Sequence, residues 1–188
     1  RRPSVTGETA TTCTVTAPGA RTCELWARTG TWTMPDATIV PIWGYTDQVT
    51  GTAQLPGPAL VVNQAETVTV ILHNELAETT ALAFPGQDIL PDLVGVAPGG
   101  TATYTFVAAM PGTFSYEAGL TANGTRQVAM GLYGALIVRP AGQPLWAYSD
   151  PATAFDDEAL LLLSEIDPAF NANPAAFDMV GRSESDPM

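Results

Sequence analysis

The sequence predicts an all-β fold in which short strands pack into a β-sandwich or β-barrel. Hydrophobic residues make up 46% of the chain and charged residues only 14%. They fall in short runs rich in valine, threonine and isoleucine, broken by 17 glycines and 16 prolines, which is typical of strands joined by tight turns. Helical periodicity is almost absent. A chain of 188 residues buries a substantial core and fits one domain with extensions better than two full domains.

The first element is a segment framed by the only two cysteines, Cys13 and Cys23. Pro18 and Gly19 lie between them, and a Pro-Gly turn would bring the two sulfurs together. A disulfide is favoured over two free thiols, and a tetrahedral metal centre would need ligands that this segment lacks. A disulfide persists in an oxidising compartment. Together with the polar start of the chain, which has no initiator methionine, it favours a secreted or periplasmic protein.

About seven or eight strands follow at near-regular spacing, as in a β-sandwich or barrel. Pro41 interrupts one of them, which suits an edge strand or a bulge. Gly131 and Gly134 lie in the last one, where they would allow close backbone approach or a bulge. The predicted strands cover residues 24–29, 31–34, 37–46, 59–63, 66–76, 101–108, 113–118 and 128–140.

His73, the only histidine, lies in one of these strands. Side chains alternate between the two faces of a strand, so Val68, Val70 and Leu72 point to one face and His73 follows Thr69 onto the more polar face. A lone imidazole there is expected at an exposed or rim position, without a catalytic or metal-binding role. Since no other histidine is available as a base, a hydrolytic triad is excluded as well.

Charge excludes two classes of partner. The chain carries 7 basic and 19 acidic residues, a net charge of −12, so it would be repelled by nucleic acid and by an anionic membrane. No apolar run approaches the roughly 18 to 20 residues that span a bilayer. The longest, "EALLLLSEI" at residues 158–166, has the length of a strand.

Two further motifs have simple structural interpretations. Asn123 and Gly124 match a glycosylation acceptor, but a tight turn explains them better. Asp156, Asp157 and Glu158 are consecutive acids whose side chains diverge, so they are expected to be solvated loop residues and not a calcium site.

The order of several segments resembles the N-terminal cupredoxin domain of bacterial multicopper oxidases. The matching segments are "PIWGY", "LPGPALVVNQAETVTVILHNEL", "APGGTATYTF", "PGTFSYEAG" and "MGLYGALIVRP". The resemblance implies a cupredoxin-like Greek-key β-sandwich or barrel at residues 24–140, preceded by an N-terminal extension at 1–23. Residues 141–188 then resemble the family's lead-out toward a second cupredoxin domain.

The copper ligands of that family are replaced in this sequence. The family has a His-Trp-His-Gly stretch and a Tyr-His-Ser-His stretch, whose four imidazoles hold half of a trinuclear copper cluster. The matching ligand positions here are Ala83, Pro85, Glu117 and Gly119. Alanine, proline and glycine side chains cannot donate to copper, and Glu117 alone is a hard oxygen donor in a site otherwise built of nitrogens. The expectation is therefore no catalytic residue and no copper cofactor in this chain.

The residues next to the replaced ligands are expected to line the space that the copper cluster would occupy in the family. If the two stretches lie side by side, Phe84, Pro85, Tyr116 and the stem of Glu117 are expected to line the former cluster position. An ionised Glu117 would then need a hydrogen-bond donor or solvent. The candidate donors are Tyr116, Gln87 and Arg126.

Two functions remain open. The chain is either one domain of a larger secreted multicopper-oxidase-like protein, packed against a second cupredoxin domain, or a copper-free extracellular binding or structural module, alone or as a homo-oligomer. A His-Cys-His segment encoded beyond Met188 would support the first alternative. A stop codon there would support the second.

Overall fold

A computed structural model describes residues 13–177, and within them nine strands form a sandwich of two sheets. The first sheet contains β1 (Thr14–Ala17), β2 (Ala20–Thr33), β3 (Ile39–Thr46), β5 (Thr67–Asn74) and β7 (Thr101–Val107). The second sheet contains β4 (Leu60–Asn63), β6 (Leu82–Ala83), β8 (Gly112–Ala118) and β9 (Tyr133–Arg139). The predicted all-β class is confirmed.

The strands cross repeatedly between the two sheets. In the first sheet β2 pairs in parallel with β5 and antiparallel with β1 and β3, and β5 pairs antiparallel with β7. In the second sheet the order is β4-β9-β8-β6, with only β4 and β9 parallel. Because β4 to β8 alternate between sheets, both inner faces contribute side chains to one shared core.

The β1–β2 hairpin contains the predicted disulfide between Cys13 and Cys23. Gly19 has a φ of 72°, in the left-handed region that glycine enters without steric cost. The turn folds β1 back along β2, with Thr14 opposite Thr22. Cys23 is completely buried, so the bridge joins the N-terminal segment to the core.

The strand β2 is longer than the sequence predicted. Residues 24–29 and 31–34 were expected to form two strands, whereas one strand continues from Ala20 to Thr33. Gly30, at the expected break, lies where a Cβ atom would be 2.8 Å from the Cβ of Ala53. The glycine therefore permits a close approach between chain segments and does not end the strand.

The predicted alternation in β5 is confirmed. Val68, Val70 and Leu72 are completely buried, while Thr69 and His73 on the other face are partly exposed. The strand β3 is an edge strand, paired only with β2. The edge position expected for Pro41 is therefore present, and an edge strand tolerates a proline.

A helix that the sequence did not predict, α1 (Gly124–Met130), connects β8 to β9. The turn expected at Asn123 is present, closed by the N–H of Gly124, which donates to the carbonyl of Thr121 at 3.0 Å, but it leads directly into the helix. Residues 128–140 were expected in one strand, whereas β9 begins only at Tyr133. The helix ends at Gly131, which has a φ of 119°, a conformation that glycine adopts readily at a helix C-terminus. Gly134 does allow the close approach expected of it, because a Cβ there would lie 2.4 Å from the ring of Tyr116.

After β9 the chain runs back over the sandwich as a C-terminal segment with little regular structure. It contains a 3-10 turn at Pro151–Thr153, the short helix α2 (Pro168–Ala172) and a second 3-10 turn at Pro174–Ala176. Residues 158–166, which have the length of a strand, form no strand pairing within residues 13–177. No helix in the described part of the chain is long and apolar enough to cross a membrane.

Candidate functional site

The two segments that the family resemblance matches to copper-ligand stretches lie side by side in the second sheet. The short strand β6 pairs antiparallel with β8, so that Ala83 is opposite Glu117 and Leu82 is opposite Ala118. Just beyond the pairing, the N–H of Gly119 donates to the carbonyl of Ala81 at 2.9 Å. The expected proximity of the two segments is therefore present in the structure.

The expected lining of the former cluster position is wrong for two aromatic residues. Side chains alternate along a strand, so Phe84 and Tyr116 point into the core and not toward the face of Ala83 and Glu117. Phe84 is 4% exposed, and its ring lies 4.9 Å from that of Phe106. The former ligand positions thus form an outer face, and the aromatic residues belong to the inner face.

Tyr116 is fully buried on that inner face. Its hydroxyl donates to the carbonyl of Pro58 at 2.7 Å, and its ring packs 5.5 Å from that of Tyr45. Burial raises the pKa of the Tyr116 hydroxyl well above its ordinary value, because the low-dielectric core disfavours the phenolate. The residue remains a neutral donor with a structural role in the sandwich.

Glu117 on the outer face receives none of the three expected donors. Tyr116 donates to Pro58 instead, and Arg126 donates to Glu78 at 2.5 Å. The side-chain nitrogen of Gln87 is buried without a partner in the described residues. Glu117 is partly exposed, so solvent, the other expectation, meets its hydration requirement.

Gly119 adds a constraint that the sequence did not reveal. A Cβ atom at this position would lie 2.8 Å from the Cβ of Ala81 and 3.4 Å from the carbonyl oxygen of Asp92. A side chain at residue 119 would therefore require the backbone or Ala81 to shift. This position, one of the four matched to copper ligands by the family resemblance, therefore has neither a donor atom nor space for a side chain.

These residues do not fit the copper cluster that the resemblance implies. Ala83, Pro85 and Gly119 have no side-chain lone pair, and Glu117 supplies only carboxylate oxygens. Among residues 13–177 no group of three or more His, Cys, Asp or Glu side chains is arranged to hold a metal ion. No step of oxidase chemistry can be derived from the donors on this face.

His73 lies on the first sheet, away from the β6–β8 pair. Its ring stacks on Trp26 with centroids 4.5 Å apart and an interplanar angle of 7°. Its Nε2 atom lies 3.3 Å from the carboxylate of Glu24, and its Nδ1 atom lies 3.3 Å from the hydroxyl of Thr101. The side chain is 28% exposed, which confirms the predicted rim position.

The outer face of β8 also forms the floor of a pocket that the sequence did not predict. The pocket has a volume of about 980 Å³. Its floor and sides come from β8, α1 and β9, and its roof comes from the C-terminal segment. The lining residues are Ser115, Glu117, Val128, Ala129, Tyr133, Leu162, Leu163, Ser164, Glu165, Ile166, Asp167, Pro168 and Phe170. The pocket forms because the C-terminal segment folds back over β8. Local sequence patterns do not reveal such a contact between distant segments.

The sandwich and its strand order define the class of the protein as a cupredoxin-like β-sandwich. Residues 27–143 match the family model described as multicopper oxidase. The chain therefore belongs to the multicopper oxidase family.

Individual relatives agree with this assignment. Copper resistance protein A of Escherichia coli is 32% identical over 119 residues, which cover 59% of this chain and 18% of that protein. A multicopper oxidase of Pseudomonas thermotolerans has a TM-score of 0.56 at 26% identity, covering 64% of this chain and 30% of that one. A copper nitrite reductase of Nitrosomonas europaea has a TM-score of 0.57 at 25% identity, covering 65% and 42%. The chain thus spans less than half the length of each relative.

Proposed function

We propose that this chain is a cupredoxin domain of a larger, exported multicopper-oxidase-like protein, and that this domain itself binds no cluster copper. The observation that carries the proposal is the outer face of the β6–β8 pair. Three of its four former ligand positions, Ala83, Pro85 and Gly119, have no donor atom, and Gly119 has no space for a side chain. Any oxidase chemistry of the full protein then resides in other domains.

We also propose the division of the chain that the family resemblance implies. Residues 1–23 are an extension with the disulfide, residues 24–140 are the cupredoxin-like domain, and residues 141–188 lead toward a second cupredoxin domain. The greater length of the curated relatives supports the presence of further domains. The disulfide supports export, since an oxidising compartment preserves it.

A second candidate function is a copper-free extracellular binding or structural module. The observation that favours it is the apolar pocket on the outer face of β8, which contains Glu117. The coding sequence after Met188 distinguishes the two candidates, because a downstream His-Cys-His segment is expected only for the multidomain protein.

Metal analysis tests the absence of copper directly. The purified chain is incubated with excess Cu²⁺, dialysed, and assayed by elemental analysis and absorption spectroscopy, with His73→Gln as the control for binding at the lone histidine. We expect clearly less than one copper per chain and no oxidation of a phenolic substrate by oxygen. Stoichiometric copper that persists in His73→Gln and disappears in Glu117→Ala would contradict the proposal.

Restoring the ligands provides a second test. Replacement of Ala83, Pro85, Glu117 and Gly119 by histidine is expected to give at most weak copper binding and no oxidase activity. The side chain at position 119 meets Ala81, and the family's cluster also takes ligands from a second domain. Tight copper binding by this variant would show that the outer face retains the geometry of a metal site.

A further inference from the structure

The pocket on the outer face of β8 has the dimensions of a ligand-binding site. Its volume of about 980 Å³ lies near the upper end of the range of roughly 300–1,000 Å³ that small-molecule sites occupy. Its walls are mainly apolar, as such sites require. The apolar side chains that line it include Val128, Leu162, Ile166 and Phe170.

The roof of the pocket is attached to the sandwich on both sides. At one end Arg139 pairs with Glu158, and in the middle the hydroxyl of Tyr133 hydrogen-bonds that of Ser164. At the other end Phe170 is 7% exposed, and the side chain of Asn171 donates to the carbonyl of Pro41 at 2.9 Å. These contacts hold the C-terminal segment over β8, so the space beneath it is a bounded pocket that stays partly open to solvent.

Among residues 13–177, every group that lines the pocket and carries a full charge at neutral pH is acidic. The three carboxylates belong to Glu117, Glu165 and Asp167, and no lysine, arginine or histidine is among the lining residues. Asp167 accepts hydrogen bonds from the N–H groups of Ala169 and Phe170 at the start of α2. Glu117, on the floor, accepts no hydrogen bond from the described residues, so its carboxylate is free to pair with a ligand.

We propose that this pocket binds an apolar organic cation, a small molecule with a protonated amine and a hydrophobic body. The ammonium group pairs with the carboxylate of Glu117, and the hydrophobic body packs under the roof formed by Leu162 and Phe170. The acidic lining and the net charge of −12 disfavour an anionic ligand of the same shape. A former ligand position thereby acquires a different binding role, and this inference goes beyond the proposed function.

Three probes with the same apolar body test the proposal by isothermal titration calorimetry at pH 7 and low salt. They are 4-phenylbutylamine, 4-phenylbutanol and 5-phenylpentanoate, which share the phenylbutyl body and differ in the charge of the head group. We expect the amine to bind at least about tenfold more tightly than the alcohol, and the carboxylate to bind most weakly. Equal affinities for the amine and the alcohol would overturn the proposal.

Variants locate the site. Glu117→Gln preserves the shape of the floor and is expected to weaken the amine about tenfold while the alcohol is unaffected. Glu24→Gln on the first sheet removes the same charge elsewhere and is the matched control. Amine binding that is unchanged by Glu117→Gln, or reduced equally by Glu24→Gln, would contradict a role for this carboxylate.

A further variant tests the cavity. Ala129 lines the pocket from an exposed position on α1, so Ala129→Trp fills space without disturbing the core. We expect all three probes to lose binding while the circular dichroism spectrum and melting temperature stay unchanged. Copper content is measured on the same samples. A loss of amine binding then bears only on the pocket, and bound copper bears only on the proposed function, so the two proposals can fail separately.

Discussion

The two faces of the β6–β8 pair differ in what they retain of the family pattern. On the inner face Leu82, Phe84 and Tyr116 are packed into the core and nearly inaccessible. On the outer face lie Ala83, Pro85, Glu117 and Gly119, the four positions that the family resemblance matches to copper-binding histidines. Both faces are built from the same two short stretches, and the inner one keeps an aromatic residue, Phe84 and Tyr116, at the two positions where the family has tryptophan and tyrosine.

The comparison shows that the fold and the metal chemistry of such a sheet depend on different residues. Successive side chains of a strand point to opposite faces, so a substitution at a ligand position leaves the packing of its neighbours intact. Burial of the inner side chains supplies most of the free energy of folding. A cupredoxin sandwich can therefore lose its copper ligands on one face and remain folded.

The largest expected difference is between Tyr116 and Glu117, which are adjacent in β8. Tyr116→Ala is expected to lower the free energy of unfolding by about 3–5 kcal/mol, because the ring is completely buried and its removal also leaves the carbonyl of Pro58 without a donor. Glu117→Ala is expected to change stability by no more than about 0.5 kcal/mol. Urea unfolding of the two variants measures the contrast, and similar losses would refute the separation of the faces.

Removal of the disulfide should have the next largest effect. The bridge closes a loop with a sequence separation of 10 residues, which corresponds to about 2–3 kcal/mol on the chain-entropy model. We expect the double variant Cys13→Ala/Cys23→Ala to unfold at a correspondingly lower urea concentration. Because the β1–β2 hairpin contains no residue of the outer face of β8, the affinity for 4-phenylbutylamine should not change. A loss of affinity for 4-phenylbutylamine in this variant would show that the β1–β2 hairpin and the outer face of β8 are not independent.

Substitution of Gly119 tests whether the outer face has room for a side chain at this position. Its missing Cβ would lie 2.8 Å from that of Ala81, so Gly119→Ala is expected to cost about 1–3 kcal/mol through overpacking. Ala81→Gly removes the opposing atom and should relieve that cost in the double variant. A double-mutant cycle of unfolding free energies measures the coupling between the two sites. Strictly additive losses would mean that the outer face at residue 119 has room for a side chain.

The smallest expected effect is a pH dependence at Asp92, in the loop beside Gly119. Burial raises the pKa of Asp92, but hydrogen bonds from the N–H of Gly95, the hydroxyl of Tyr104 and the N–H of Val94 outweigh it and lower the pKa overall. The resulting stabilisation is complete above the unfolded-state pKa near 4 and is lost as the pH falls through the folded-state value.

Asp92→Asn should therefore reduce the difference in unfolding free energy between pH 6 and pH 3. We expect a reduction below about 1 kcal/mol, because solvent screens a partly exposed carboxylate. Asp88→Asn, at an exposed position in the same loop, is the control. An unchanged pH profile in Asp92→Asn, or an equal change in Asp88→Asn, would show that the hydrogen bonds accepted by Asp92 are not the source of the pH dependence.

Parts of this fold could be predicted because their signals are local. The alternation of Val68, Val70 and Leu72 with polar residues identified the buried face of β5, and the Pro-Gly turn identified the hairpin of the disulfide. The helix α1 could not be predicted in this way, since glycine, threonine and valine are poor helix formers. It is held by the buried Gln127, which donates to Glu78 at 2.7 Å and to the carbonyl of Thr79 at 2.8 Å.

The sequence by itself determined the all-β class, the family, the disulfide and the rim position of His73. These follow from strand periodicity, residue spacing and side-chain chemistry, which act over a few residues. Only the tertiary structure decided that Phe84 and Tyr116 pack inward, that Gly119 is closed by Ala81, and that the C-terminal segment covers Glu117. Those results depend on contacts between segments that are distant in sequence, and such segments meet only when the whole chain packs.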